Sequence, residues 1–344
     1  MENKNKSKHK IIGNIIFLIV VLIVLGILLF SLNDINEIWS IITSSSVPLL
    51  LLALGLSLVF MFLTNSSIQL ITSGVGGNIS YKDGIHIANT EYLFNAITPF
   101  SSGGQPIQAY YFMKKGLSGD QTMSVLTSNF IIYQAVSTLL GTVGIIIYFS
   151  AVKASISGYA WLIFIGYFIN TLILVGAVLM ATVKGFRNLL RSIFRGLGKI
   201  KFLNKSMTKL EKKSFGFVER FQIETKKLFK RKRVLFGASG LRLLSLLVVN
   251  SIPIVVFTAL QITIDPKDYL FIIMMTAFAT TFTLWIPTPG ASGGVEWAFT
   301  VLFTGIIAPQ PVVIAALLIW RVLTYYVGIV SGFGSYIYIR KERV

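Results

Sequence analysis

Four charged side chains stand inside apolar stretches of this chain: Glu91, Arg242, Glu296 and Arg321. A charge held in hydrocarbon is costly, so each is a candidate for ligand binding, proton carriage or ion pairing. An arginine presents a planar fork of N–H donors that matches two oxygens of a phosphate or carboxylate. Arg321 lies deep in the apolar run 310–338, out of reach of either surface. It reads as an anion ligand or as the ion-pair partner of Glu296 or Glu91. Arg242 lies nearer the basic end of its run and could instead snorkel to the headgroups. Glu91 and Glu296 are the plausible buried proton carriers.

The carboxylates flank a sequence that occurs twice. Thr98-Pro99-Phe100-Ser101-Ser102-Gly103-Gly104 returns 190 residues later as Thr288-Pro289-Gly290-Ala291-Ser292-Gly293-Gly294, with five of seven positions identical. Pro and Gly end helices, so each copy is a break inside an apolar helical segment. Paired breaks of this kind mark the binding site of repeat-built transporters. A half-helix starting after each break has unsatisfied N–H groups and a positive dipole end, which together make an anion site. That reading singles out Ser102, Gly103, Gly104 and Gln105 at the first break, and Ser292, Gly293, Gly294 and Glu296 at the second. The competing reading is capping: Ser102-x-x-Gln105 has capping-box spacing, and Glu296 falls in a first helical turn. Asn89, Asn95, Gln108, Ser128, Asn129 and Gln134 add polar groups nearby, as ligand contacts or as helix–helix hydrogen bonds. Tyr110, Trp285, Trp297 and Trp320 read as interface or packing aromatics.

The elements that must position these residues are membrane helices. The chain is 54% hydrophobic and 13% charged. Segments 11–31, 47–71, 120–149, 158–183, 234–262 and 310–338 are each long and apolar enough to cross about 30 Å of hydrocarbon. The first lacks a cleavage site and reads as an uncleaved anchor. The net charge of +18 resides mainly in residues 1–10, 184–233 and 340–343. By the positive-inside rule these are cytoplasmic, so both termini of a multi-pass membrane protein are expected inside. Lys82 precedes segment 85–113 and Lys114-Lys115 follows it, which makes it a re-entrant hairpin from the cytoplasmic side. Parity makes 269–307 a second hairpin entering from outside. The expectation is therefore an all-α polytopic protein of about six spanning helices plus two re-entrant helical hairpins. It forms a single membrane domain over 1–344, with repeat one (11–149) and repeat two (158–338) in opposite orientation. Segment 184–233 interrupts repeat two. Its apolar residues Phe186, Leu189, Leu190, Ile193, Phe194 and Leu197 oppose Arg187, Arg191 and Arg195, as in an amphipathic helix on anionic inner-leaflet lipid. A topology-setting role for that charge is equally open, and a further helix is expected near 207–230.

Several chemistries are excluded. With no Cys, and only His9 and His86, there is no thiolate or histidine-rich metal site, and no metal or cofactor is expected. No G-x-x-x-x-G-K-[ST] motif is present, so nucleotide hydrolysis is not expected. The basic charge, once placed, does not describe a nucleic-acid surface.

Thr98 to Gln108 followed by Lys114-Lys115-Gly116, together with Pro287 to Glu296 and Arg321, resembles the signatures of the lysylphosphatidylglycerol synthase transmembrane family. The resemblance covers nearly the whole chain. It implies a flippase that moves an anionic or aminoacylated phospholipid between leaflets and so contributes to resistance against cationic peptides. Bifunctional relatives carry a soluble synthetase domain after the membrane part. This chain ends at Arg340-Lys341-Glu342-Arg343-Val344, so no lysyltransferase activity is expected. Two alternatives remain open: a non-transporting scaffold that recruits a partner synthetase through 184–233, and a membrane transferase using the hairpin carboxylates. No nucleophile–base pair or metal cluster supports the transferase. A homo-oligomer is compatible with all of these.

Overall fold

The computed structural model describes residues 35–98, 101–150, 160–183, 219–283 and 293–341, with Val152, Gly185 and Ser192 besides. The first expected span (11–31), the amphipathic pattern Phe186–Leu197 and Ser292 lie outside the described residues.

Among the described residues all the named elements are helical. In chain order they are α1 (Ile35–Thr43), α2 (Val47–Gly74), α3 (Tyr81–Ala96), α4 (Gly104–Lys114), α5 (Gly119–Ile147), α6 (Ala160–Thr182), α7 (Lys232–Ala259), α8 (Tyr269–Thr283), α9 (Gly294–Phe303), α10 (Gln310–Arg321) and α11 (Val327–Lys341). A single π-helical turn, Val322–Tyr326, joins α10 to α11. Five helical stretches are long and apolar enough to cross a membrane: Val47–Gly74, Gly119–Ile147, Ile165–Thr182, Lys232–Ala259 and Gln310–Lys341. These are the five described spans that composition predicts.

Local signals set the helix starts. Pro48 opens α2 at a position where its missing N–H costs nothing. Ser118 and Gln121 form a full capping box at the start of α5. Ser80 caps α3 by accepting from the Asp83 N–H.

α3 and α4 hold 16 and 11 residues, α8 and α9 hold 15 and 10. Each is shorter than the roughly 17 residues that a span needs. α3 and α4 form an antiparallel hairpin, with Lys115 Nζ on Asp83 Oδ1 at 3.1 Å, Gln108 Nε2 on the Ala88 carbonyl at 3.0 Å, and the Gly104 N–H on Asn95 Oδ1 at 2.8 Å. α4 begins at Gly104 and α9 at Gly294, which preserves the 190-residue offset of the duplicated motif.

The packing partners correspond between the halves. α2 lies along α7, α3 against α11, and α8 against α5. Among the described residues two large apolar clusters result, besides a small one of Ile131, Ala181 and Phe221. One centres on Ile68, Ile87, Phe112 and Val125, with Ala238 and Ile339 reaching in from the second half. The other centres on Phe257, Phe299, Phe303 and Trp320, with Ala53 and Leu140 reaching in from the first. In lipid such cores gain by close dispersion contact rather than by escape from water. Trp320 stacks on Phe299 with ring centroids 5.2 Å apart, the packing role expected of it.

The helix expected near 207–230 is present over the described residues 219–230, and one face of it enters the bundle: Phe221, Gln222, Thr225 and Leu228 are buried. Thr225 Oγ1 donates to Ser124 Oγ of α5, and Gln222 Nε2 donates to the Met180 and Val183 carbonyls at the end of α6. Uncapped carbonyls at a helix end need donors, and Gln222 supplies them.

Candidate functional site

α3 cannot continue past Ala96 because Thr98-Pro99 follows, and proline blocks the next helical hydrogen bond. The chain turns at Ser101, whose φ of 49° is left-handed. Across this turn Gly103 N–H donates to Thr98 Oγ1, and Gly104 N–H to Asn95 Oδ1, both at 2.8 Å. The start of α4 is thus capped by Asn95 of the facing helix and by Thr98 in the turn, with Gly103 rather than Ser102 at the N-cap position. The room expected around these glycines for a ligand is filled as well. A Cβ on Gly104 would lie 2.6 Å from Glu91 Cγ and 2.7 Å from Asn95 Oδ1, and one on Gly103 would lie 2.6 Å from the Phe94 carbonyl. These two glycines serve close packing. Gln105 is exposed and lines the cavity described below.

At the second break Glu296 does two things at once. Its Oε2 accepts from the Gly293 N–H at 2.6 Å, and its Oε1 lies 2.6 Å from Arg321 Nη2. Capping and ion pairing, posed as alternatives to ligand binding, are both realised. The positive end of α9 is already faced by a carboxylate of its own first turn. Gly293 has φ +94°, a conformation that L side chains rarely adopt, and Gly294 is buried as the first residue of α9.

Glu91 is held by Asn95 Nδ2 at 3.3 Å and Gln108 Nε2 at 3.1 Å. Arg242 is buried, donates from Nη2 to Asn129 Oδ1 at 2.6 Å, and sits over the Tyr133 ring at 5.6 Å. It does not snorkel, and its Nε has no hydrogen-bond partner. Arg321 stacks over Tyr325 at 5.2 Å, and its Nε is likewise without a partner.

These groups converge. A cavity of about 300 Å³ is lined by Glu91, Arg242 and Arg321, with Ser101 and Gln105 from the first tip and Val295 from the second half-helix. Amides from both halves, Asn65, Asn129 and Asn250, complete it. Of the predicted residues, the structure brings Gln105, Glu91, Arg242 and Arg321 to one cavity, and attaches Glu296 through its pair with Arg321. Gly103 and Gly104 stand behind it as packing. Asn65, Asn250 and Tyr133 were not singled out from the sequence. An asparagine within an otherwise apolar span is the signal that would have found the first two. Chemically the site offers two guanidinium groups and one amide-held carboxylate. It suits a ligand bearing oxyanion character and a compensating cation.

A family model described as the lysylphosphatidylglycerol synthase TM region matches residues 14–332. A UPF0104 membrane protein of Archaeoglobus fulgidus is 26% identical over 330 residues, covering 91% of this chain and 93% of the relative.

Proposed function

Because the chain belongs to the lysylphosphatidylglycerol synthase TM region family, we propose that it moves an anionic or aminoacylated phospholipid between the leaflets of the cell membrane. The observation that carries this reading is the cavity in which Arg242, Arg321 and Glu91 face one another between the two halves. The phosphate engages a guanidinium fork, an amino group carried by the headgroup engages Glu91, and the acyl chains stay in the bilayer. A cavity of about 300 Å³ takes a headgroup and excludes the tails.

The transport reading includes the topology. The two short-helix pairs are re-entrant hairpins, and the halves are inverted repeats with both termini cytoplasmic. Support comes from the 190-residue offset between α4 and α9 and from the exchange of partners, α3 with α11 and α8 with α5. The protein acts as a transporter and not as a lysyltransferase, equilibrating its lipid or coupling it to an ion gradient through a buried carboxylate.

The test is reconstitution of the purified protein into vesicles carrying fluorescent or aminoacylated phosphatidylglycerol, with leaflet exposure as the readout. Exposure is expected to exceed that in protein-free vesicles, and Arg242→Gln is expected to lower its rate at least tenfold. If no lipid is exposed faster than without protein, the reading fails.

A further inference from the structure

One polar seam leads out of the cavity. Asn65, on the cavity wall, donates to Asn89 Oδ1 at 3.1 Å. Asn89 Nδ2 in turn donates to Ser331 and Ser335 of α11, the latter at 3.0 Å. Ser335 Oγ lies 3.1 Å from His86 Nδ1, and the His86 ring packs on Tyr338 at 4.1 Å. Lys82 sits over the same Tyr338 ring at 4.6 Å. Between α3 and α11 the register is antiparallel and continuous from Asn89 to Lys82, at the end where Arg340 and Lys341 also stand.

The other hairpin seam differs. Where α8 meets α5, Gly141 and Gly144 pack on Phe278, Phe282 and Met274, with one hydroxyl pair, Ser137–Thr281, at 2.6 Å. A headgroup passing there would lose its hydration against aromatic rings. Along α3 and α11, Gly328 and Gly332 also pack tightly on Tyr92 and Leu93, and Phe94 meets Tyr336, but the chain of polar side chains from Asn89 to His86 lets a headgroup exchange one set of hydrogen bonds for another. Each of those side-chain bonds is individually weak in a membrane.

A second observation concerns how that seam could part. α11 is joined to α10 through the π-turn Val322–Tyr326, and Ser57 of α2 donates to the Leu323 carbonyl within it. π-turns inside helices are frequent at functional sites and are among the places where helices kink. Above the turn, α10 is tied to the second hairpin by Arg321–Glu296; below it, α11 is tied to the first by the seam.

We propose that the α3–α11 seam is the route by which a phospholipid headgroup passes between the central cavity and the Lys- and Arg-rich membrane face, opened by α11 swinging about the π-turn. The proposal rests on the lipid-transport reading above. The chain has no native cysteine, so Asn89→Cys with Ser335→Cys can lock the seam by a disulfide. In reconstituted vesicles the oxidised form is expected to expose fluorescent phosphatidylglycerol at least tenfold more slowly than the same sample after reductant. Equal rates before and after reduction, with crosslinking complete on a gel, overturn the route. Should the pair lower transport even when reduced, Ser335→Cys alone decides. Ser335 is 4% exposed in the closed seam, so labelling of the cysteine by a water-soluble maleimide reports opening. A cysteine that stays unlabelled while Lys341→Cys reacts fully overturns the proposal. A parent protein that moves no lipid removes the transport reading and the route with it, whereas an active parent whose locked variant is equally active overturns the route alone.

Discussion

Arg321 and Glu296 meet at 2.6 Å between α10 and α9, and the second oxygen of Glu296 holds the Gly293 N–H at the start of its helix. Their side chains are only 13% and 12% exposed, so removing one charge strands the other. Arg321→Gln alone is expected to cost about 3–5 kcal/mol, read as a lower Tm in detergent. Arg321→Gln with Glu296→Gln should recover most of that, because glutamine can still accept from Gly293. Transport separates the two roles of Arg321. If it also binds the lipid phosphate, the double variant is stable and inactive, and Arg321→Lys keeps some activity. Full activity in the double variant would end the phosphate assignment.

The tip glycines make a stability prediction. A methyl group on Gly104 meets Glu91 and Asn95 within 2.7 Å, so Gly104→Ala is expected to cost about 1–3 kcal/mol by overpacking. A methyl group on Gly293 meets nothing within 4 Å among the described residues, and Gly293→Ala is expected to cost about 1–2 kcal/mol from φ +94°. Thermal melts of the two variants check this. A Gly104→Ala protein as stable as the parent would show that the first tip has spare room after all.

Much of this arrangement is legible in the sequence because membrane spans and Pro-Gly breaks are local signals. Apolar length gives α2, α5, α6, α7 and the α10–α11 stretch, and the duplicated motif gives the starts of α4 and α9 at Gly104 and Gly294. What is not legible depends on tertiary neighbours. Asn95 caps Gly104 from nine residues away across a turn, and no capping pattern in the sequence encodes that. The burial of Arg242 depends on Asn129 and Tyr133 of α5, more than a hundred residues earlier. Residues 219–230 look like a solvated basic helix from their charge. The face that buries Phe221, Thr225 and Leu228 is set by contacts with α5 and with Gly74 of α2.

The inverted arrangement proposed above predicts which side each hairpin is reached from. Lys115 follows α4 and Pro309 precedes α10; Pro309 is exposed, whereas Lys115 holds the part-buried Asp83, so its cysteine variant is first checked for parental expression. Single cysteines at these two positions, labelled with an impermeant reagent in intact cells, should react only from inside at 115 and from outside at 309. Labelling of 115 from outside would sink the opposed orientation of the halves.

The last prediction separates lipid gathering from partner recruitment at the basic segment. Lys227, Lys230, Arg231, Lys232 and Arg233 are exposed, while the opposite face of 219–230 is buried in the bundle. Replacing Lys230, Arg231, Lys232 and Arg233 with Gln therefore leaves the packing face untouched, and Tm is expected to stay at the parental value. Each cation near an anionic surface contributes about 1 kcal/mol of attraction, which salt screens. If the segment gathers lipid, parental transport is faster in vesicles rich in anionic lipid than in neutral ones, and either the four-fold variant or high salt erases the difference. A variant that keeps the lipid dependence, and instead loses co-purification of a lipid-modifying synthetase, assigns these charges to a protein partner. The two outcomes differ because a lipid field acts on transport directly, whereas a docked enzyme changes only the supply of substrate to the inner leaflet.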